Sequence, residues 1–194
     1  KRLLEYRSTF DKVPPVTTIV IGDPKHQGGT ALYVSDGTTF TLSAADEGSG
    51  VRETSYRVDG GSWASYIEPF SISSLSEGAH IICYRSTDRI GNNETEETLA
   101  VYLDKTAPTI TNIVVAPSNP AWGDLIRISA SIDDVLSGVR EASIYYSTNG
   151  GTMWSRVTML APISSAKAYE GTIPSQQVMA RVQFYIEASD NLGN

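Results

Sequence analysis

The sequence predicts an all-β protein built as two antiparallel β-sandwich domains in tandem. Three observations carry that expectation. The first is a phrase the chain states twice: Asp46-Glu47-Gly48-Ser49-Gly50-Val51-Arg52-Glu53, then Asp133-Asp134-Val135-Leu136-Ser137-Gly138-Val139-Arg140-Glu141. Each copy leads into an alternating run (Thr54–Val58, Ala142–Ser147), a glycine pair (Asp59-Gly60-Gly61, Asn149-Gly150-Gly151) and a tryptophan (Trp63, Trp154). Self-similarity at such a period means one structural unit used more than once. The second observation is a series of short β-branched and aromatic runs that alternate at period two between turn signals. The third is that no stretch carries a helical period with caps.

Residues 1–10 hold a strand-like stretch, Leu3–Ser8, whose Tyr6-Arg7-Ser8-Thr9 repeats the wording of Tyr84-Arg85-Ser86-Thr87. It reads either as the last strand of a preceding domain or as an ordered tail. The first domain is expected over 11–104. It opens with Asp11-Lys12-Val13-Pro14-Pro15, whose counterpart Asp104-Lys105-Thr106-Ala107-Pro108 lies 93 residues on (104 minus 11). Proline fixes φ and removes a donor, so both segments read as stiff interdomain hinges that open a new strand.

Strands are then expected at Thr17–Ile21, at Thr38–Ala45 with Phe40, Leu42 and Ala44 on one face, and at Val51–Val58 with Thr54, Tyr56 and Val58 together. Asp59-Gly60-Gly61 supplies the positive φ angles of a tight hairpin. Short runs follow at Trp63–Tyr66 and Phe70–Ile72. His80–Ser86 places Ile82, Tyr84 and Ser86 on one side, and Thr98–Leu103 closes the domain.

The second domain, 105–194, repeats the plan: Ile110–Val115, Leu125–Ile132, Val139–Ser147, Met153–Leu160, Ala168–Ile173 and Val182–Ala188. Its Asp190-Asn191-Leu192-Gly193-Asn194 matches Asp88-Arg89-Ile90-Gly91-Asn92, after which the first domain adds a further strand. The second domain is therefore expected to lack its last strand, leaving an exposed edge for a partner or another segment.

Composition narrows the function classes. The 194 residues carry a net charge of −7 and no basic stripe. That excludes a nucleic-acid partner, which needs clustered Lys and Arg, and docking on an anionic membrane surface. No run approaches the ~18 apolar residues of a membrane span, so no membrane insertion is expected. Cys83 is the single cysteine, so no intrachain disulfide forms. It reads as a small buried hydrophobe, or else as a reactive or intermolecular thiol. The chain opens on Lys1 without a signal peptide and reads as a segment of something longer.

With the motifs in view, the chain resembles a known family. Asp46…Ser49-Gly50-Val51, the glycine hairpin and Tyr84-x-Ser86-x-Asp88-x-x-Gly91-Asn92 behind a Pro-Pro linker are similar to the tandem immunoglobulin-like repeats of bacterial and archaeal surface proteins. The second half resembles a fibronectin-like variety, through Ser147-Thr148-Asn149-Gly150-Gly151 and Ile186-x-Ala188-x-Asp190-Asn191-x-Gly193-Asn194. The resemblance covers 11–194. It implies two immunoglobulin-like sandwiches in an extracellular or cell-surface protein. Such repeats serve as spacers in secreted hydrolases, stalks of adhesins and blocks of surface layers. Two departures stand out: an insert Gly22–Ala31, expected as a protruding loop, and a lengthened Asp133–Ser137 loop.

The constellation most able to carry chemistry is acidic. In such a sandwich the loop after the second strand, the loop before the last strand and the incoming linker share one end. That expectation gathers Asp11, Asp46, Glu47, Asp88 and Asn92 in the first domain, and Asp104, Asp133, Asp134, Asp190 and Asn194 in the second. Ca²⁺ takes 6–8 hard oxygens from such groups, and a cation there would stiffen the linker. The competing reading needs no ion, because Asp and Asn side chains pin turns by accepting bonds from nearby amides. Both readings predict duplication, so the pattern leaves them open.

Other signals are weaker. Glu53 and Glu141 sit one per domain, which suits a solvated strand face better than the paired acids of one glycosidase cleft. His26 and His80 are expected on the surface, without the carboxylate-held geometry of a Ser–His–Asp set, and with Cys83 they have no zinc-ligand spacing. Trp63 and Trp154 are expected in sandwich packing. Trp122, between Pro120 and Gly123, is the better exposed candidate for stacking on a sugar. Asn93-Glu94-Thr95 is a lone glycosylation sequon.

The expected function is a non-catalytic structural or interaction module of a cell-surface or secreted protein: a stalk, surface-layer or appendage building block. Its partners are then neighbouring domains of the same polypeptide or other copies in an assembly, with surface glycans as a further candidate. The alternative is an accessory carbohydrate-binding module of a secreted hydrolase.

Overall fold

A computed structural model of the chain describes residues 10–161, 167–177 and 181–194. The stretch Leu3–Ser8 lies outside them. The chain divides into two compact units, one ending at Leu103 and the other running from Asp104 to Asn194. Among the described residues all regular structure is β, and no helix is long and apolar enough to cross a membrane.

The first unit holds β1 (Val16–Ile21), β2 (Lys25–Gly28), β3 (Ala31–Val34), β4 (Phe40–Ala45), β5 (Val51–Val58), β6 (Ala64–Ser65), β7 (Gly78–Asp88) and β8 (Glu97–Leu103). β1 pairs antiparallel with β4, and a six-stranded sheet in the order β2-β3-β8-β7-β5-β6 faces them. Alternation places Phe40 and Leu42 of one sheet against Ile82, Tyr84, Val101 and Leu103 of the other, all buried. Tyr56 stacks on Phe70 at 3.8 Å between ring centroids and helps fill one flank. The expected strand at Phe70–Ile72 is reduced to a bridge between Phe70 and Phe40.

The second unit holds β9 (Thr109–Ala116), β10 (Ile126–Asp133), β11 (Val139–Ser147), β12 (Ser155–Met159), β13 (Ala168–Ile173) and β14 (Gln183–Asp190). Two three-stranded sheets, β13-β10-β9 and β12-β11-β14, close over Ile126, Ile128, Ile132, Ile144, Met159 and Ile173. The cores of the two units are separate. Each unit is an immunoglobulin-like β-sandwich.

The structure corrects four expectations. The insert Gly22–Ala31 is no protruding loop: with the residues after it, it forms the β2–β3 hairpin, and β3 pairs parallel with β8. The backbone donors of an extended insert beside a sheet edge are satisfied by joining that sheet. The second-domain loop is not lengthened. Asp133 ends β10, and the loop Asp134–Gly138 matches Asp46–Gly50 residue for residue. Trp63 and Trp154 lie outside both cores. The guanidinium groups of Arg57 (4.9 Å) and Arg85 (4.3 Å) lie over the Trp63 ring, and Trp154 meets Tyr185 edge-on at 4.9 Å. Finally His80 is buried, because β7 begins two residues early at Gly78 and puts it on the inward parity of Ile82 and Tyr84.

Buried hydroxyls tie the sheets of the first unit together. Ser86 Oγ on β7 meets Thr17 Oγ1 on β1 at 2.6 Å and Thr54 Oγ1 on β5 at 2.8 Å. Glu94 accepts from the Thr17 amide (2.7 Å) and the Ser86 amide (2.9 Å).

Candidate functional site

Each unit carries an acidic pole at one end, and the two poles are built alike atom by atom. In the first, Asp11, Asp46 and Asp88 each bring an oxygen within 4.8 Å of the others. Asp46 Oδ1 accepts from the Gly48 (3.1 Å) and Gly50 (2.6 Å) amides. Asp88 Oδ1 accepts from Ile90 (3.0 Å), Gly91 (2.6 Å) and Asn92 (2.7 Å). Asp11 accepts from Val13 (3.0 Å) and, across the chain, from Ser49 (2.7 Å). Asn92 Nδ2 donates to Asp88 Oδ2 at 2.6 Å and to the Asp11 carbonyl at 3.2 Å.

The second pole repeats this with Asp104, Asp134 and Asp190 within the same 4.8 Å. Asp134 Oδ1 accepts from Leu136 (3.1 Å) and Gly138 (2.7 Å). Asp190 Oδ1 accepts from Leu192 (2.9 Å), Gly193 (2.7 Å) and Asn194 (2.8 Å). Asp104 Oδ2 accepts from Ser137 at 2.9 Å. Asn194 Nδ2 donates to Asp190 Oδ2 (2.9 Å) and the Asp104 carbonyl (3.3 Å).

Local sequence explains the shape. Gly50 (φ 82°) and Gly138 (φ 81°) adopt the left-handed conformation that turns their amides back onto the loop aspartate; a β-carbon there would strain the backbone. A matching β-bulge at Arg52 in β5 and Arg140 in β11 follows each loop and adds local twist at the pole. The poles differ at several positions, Gly48 among them. A β-carbon on Gly48 would sit 2.1 Å from Asp11 Oδ2, whereas the equivalent residue in the second unit is Leu136.

Electrostatics separate the two poles further. The Val13 and Ser49 amides hold Asp11 below the ordinary carboxylate range. Burial pushes Asp88 up, but the Asn92 amide and side chain outweigh it and leave the group lowered. Asp190 is lowered in the same way: burial opposes, and the Asn194 side chain and amide prevail. Asp134 goes the other way. Burial pushes it up, and the charges of Asp104 and Asp190 add to that against the amides of Gly138 and Leu136. Ser49 Oγ and Ser137 Oγ, at equivalent positions, are buried without a well-formed hydrogen bond.

Of the expected acidic residues, the structure gathers Asp11, Asp46, Asp88, Asp104, Asp134 and Asp190. Asn92 and Asn194 are present as donors to the carboxylates. Glu47 is exposed outside the carboxylate cluster, and Asp133 instead pairs with Lys167 at 2.6 Å. Sequence reasoning passed over the Ser49 and Ser137 amides and the two bulges; the shared Ser-Gly-Val-Arg-Glu wording was their signal.

The remaining candidates hold structural bonds. His80 Nδ1 meets Asp59 Oδ2 at 2.6 Å, and its Nε2 meets the Ser76 carbonyl at 2.7 Å. The carbonyl occupies the position a nucleophile would need. His26 lies against Tyr33 at 6.2 Å. Glu53 accepts from Ser65 Oγ (2.6 Å), and Glu141 pairs with Arg156 (2.7 Å). Cys83 is buried, and burial followed by nearby Glu96 pushes its thiol up, opposite to what a reactive cysteine needs. Trp122 is 75% exposed in the loop before β10.

No protein-family model matches the chain, and no curated protein does. Among solved structures, a crystal structure of chicken CNTN1 FN1–FN3 domains is similar, with 17% identity and a TM-score of 0.41. The match covers 83% of this chain and spans 57% of the length of that one.

Proposed function

We propose that the chain is a non-catalytic structural and interaction module of a cell-surface or secreted protein, serving as a stalk, surface-layer or appendage building block. The observation that carries this reading is the duplicated pole. In each unit the leading aspartate is fastened to the two loops at that end through its carboxylate and its carbonyl. A linker anchored to the body it enters transmits tension into sheet ladders rather than into a free hinge. The pole aspartates are committed to backbone amides, which suits a mechanical part.

Pulling single molecules from their ends tests the reading. Two unfolding events of similar length are expected. Asp88→Ala lowers the force of one event alone, and Asp190→Ala lowers the other. Forces indifferent to both substitutions would sink the proposal.

A second reading, a pole stiffened by a divalent cation such as Ca²⁺, is favoured by three carboxylates within 4.8 Å in each unit and by Asp134 being pushed up by its neighbours. Calorimetry of calcium addition, with melting in calcium and in chelator, decides it. Heat of binding and a higher Tm in calcium, both lost in Asp134→Asn, support it. No heat and superimposable melts retire it.

A further inference from the structure

We propose that the second unit binds a glycan at the loop between β9 and β10, and that the group it takes is one neutral pyranose ring of a longer saccharide, stacked on Trp122. β10 begins at this loop and ends at the acidic pole, so the strand separates the two sites. The inference goes beyond the building-block reading and does not depend on it.

The loop is where the two units part. β1 and β4 pair as β9 and β10 do. In the first unit their connection folds into β2 and β3 and joins the six-stranded sheet. In the second it is the short stretch 117–125. That stretch closes without help from its tryptophan. Asp124 Oδ2 accepts from the Ala121 amide at 2.8 Å, and the Asp124 amide donates back to the Ala121 carbonyl at 3.2 Å. The Gly123 amide reaches the Gln176 carbonyl at 3.4 Å and ties the turn to the segment after β13. Trp122 belongs to neither core and stands out in water. A large ring held out by a closed turn is already ordered for binding, which removes part of the entropic cost.

Trp122 lines a cleft of about 190 Å³, together with Pro120, Asp124, Gln176, Gln177 and the largely buried Ile126. Pockets for drug-sized ligands hold ~300–1,000 Å³, so this one has room for a single ring. Its lining has two characters. The indole and Pro120 are apolar. Asp124 spends Oδ2 on the turn and has Oδ1 left to accept. Gln176 spends its Nε2 on the Pro174 carbonyl at 2.6 Å and has its side-chain oxygen left, and the exposed Gln177 offers a whole amide. A pyranose has the same two characters. One face presents C–H groups, whose positive ends suit the negative face of an indole. Its rim is hydroxyls, each a donor and an acceptor.

Charge narrows the class. Among the described residues lining the cleft there is one carboxylate and no Lys or Arg. An acidic, sulfated or phosphorylated sugar would meet repulsion with nothing to offset it. A proline-rich peptide also docks on aromatic rings, but it needs a groove lined by several of them. Trp122 is the single aromatic among the described residues of this cleft.

The test titrates the whole 194-residue chain with four neutral hexasaccharides, β-1,4-linked glucose, mannose, xylose and N-acetylglucosamine, following heat and tryptophan fluorescence. At least one is expected to bind. Trp122→Ala is expected to weaken that binding about tenfold or more, with Tm unchanged because the side chain is exposed. Gln177→Ala weakens it less, Trp63→Ala leaves it as it was, and an oligogalacturonate does not bind. The proposal falls if none of the four binds, if binding survives Trp122→Ala, if Trp63→Ala costs as much, or if the oligogalacturonate binds best. A chain that binds no sugar still gives its two unfolding events under force, so failure here is distinct from failure of the building-block reading.

Discussion

Asp134 and Asp190 are a few ångströms apart, yet protons affect them in opposite ways. Asp190 and Asp88 are lowered by amide donors. The stability they contribute is present above the ordinary carboxylate pKa of ~3.9 and is lost as pH falls through their lower folded values. Asp134 is raised by burial and by neighbouring charge. Its contribution is present below the ordinary value and is lost as pH rises through the raised folded value. Melting without divalent ions is therefore expected to show Tm rising as pH falls from neutrality toward the Asp134 titration, then dropping steeply below ~4. Asp134→Asn should abolish the rise and raise the Tm of the protein at neutral pH. Asp190→Asn sets an amide donor against Asn194 Nδ2 and should cost about 1–3 kcal/mol. A wild-type Tm that only declines on acidification would contradict the assignment. The acids themselves were legible in the repeated wording. Which of the adjacent pair Asp133 and Asp134 enters the pole was not, because strand parity decides it: Asp133 ends β10, and Asp134 opens the loop.

Among the elements, alternation marked most strands to within two residues, since one buried face imposes period two on the sequence. Ile126, Ile128, Ala130 and Ile132 all point inward on β10 as their spacing predicts. Alternation was silent for β2, whose Lys25-His26-Gln27-Gly28 carries no apolar side chain, and for β3, whose Ala31-Leu32-Tyr33-Val34 does not alternate. Such an edge hairpin is held by backbone pairing with a neighbour that lies far away in sequence, β8. The polar contacts between sheets were equally hidden, because a serine reads the same whether exposed or buried. Ser86→Ala removes the hydroxyl that Thr17 and Thr54 share. It should cost about 1–3 kcal/mol in urea unfolding, with an unchanged m-value. A loss below about 0.5 kcal/mol would mean the network is replaceable by water.

For the molecule as a whole, the duplication was the most informative signal, because it announced two cores rather than one. Ile144 belongs to one cluster and Ile82 to the other, with no buried residue shared. That separation is why the pulling experiment is expected to resolve two events, each answering to its own aspartate. That loop amides could pin these carboxylates was legible; which amides bond which oxygen was not. It depends on glycine φ angles and bulges that composition does not encode.

The poles also constrain how the protein is made. Asp11 leaves a ribosome well before the residue that bonds its carbonyl, Asn92, which emerges 81 residues later (92 minus 11). The next sandwich imposes the same wait between Asp104 and Asn194. In each sandwich a late turn clasps the aspartate of the incoming linker, so that clasp closes only after most of its unit has been made.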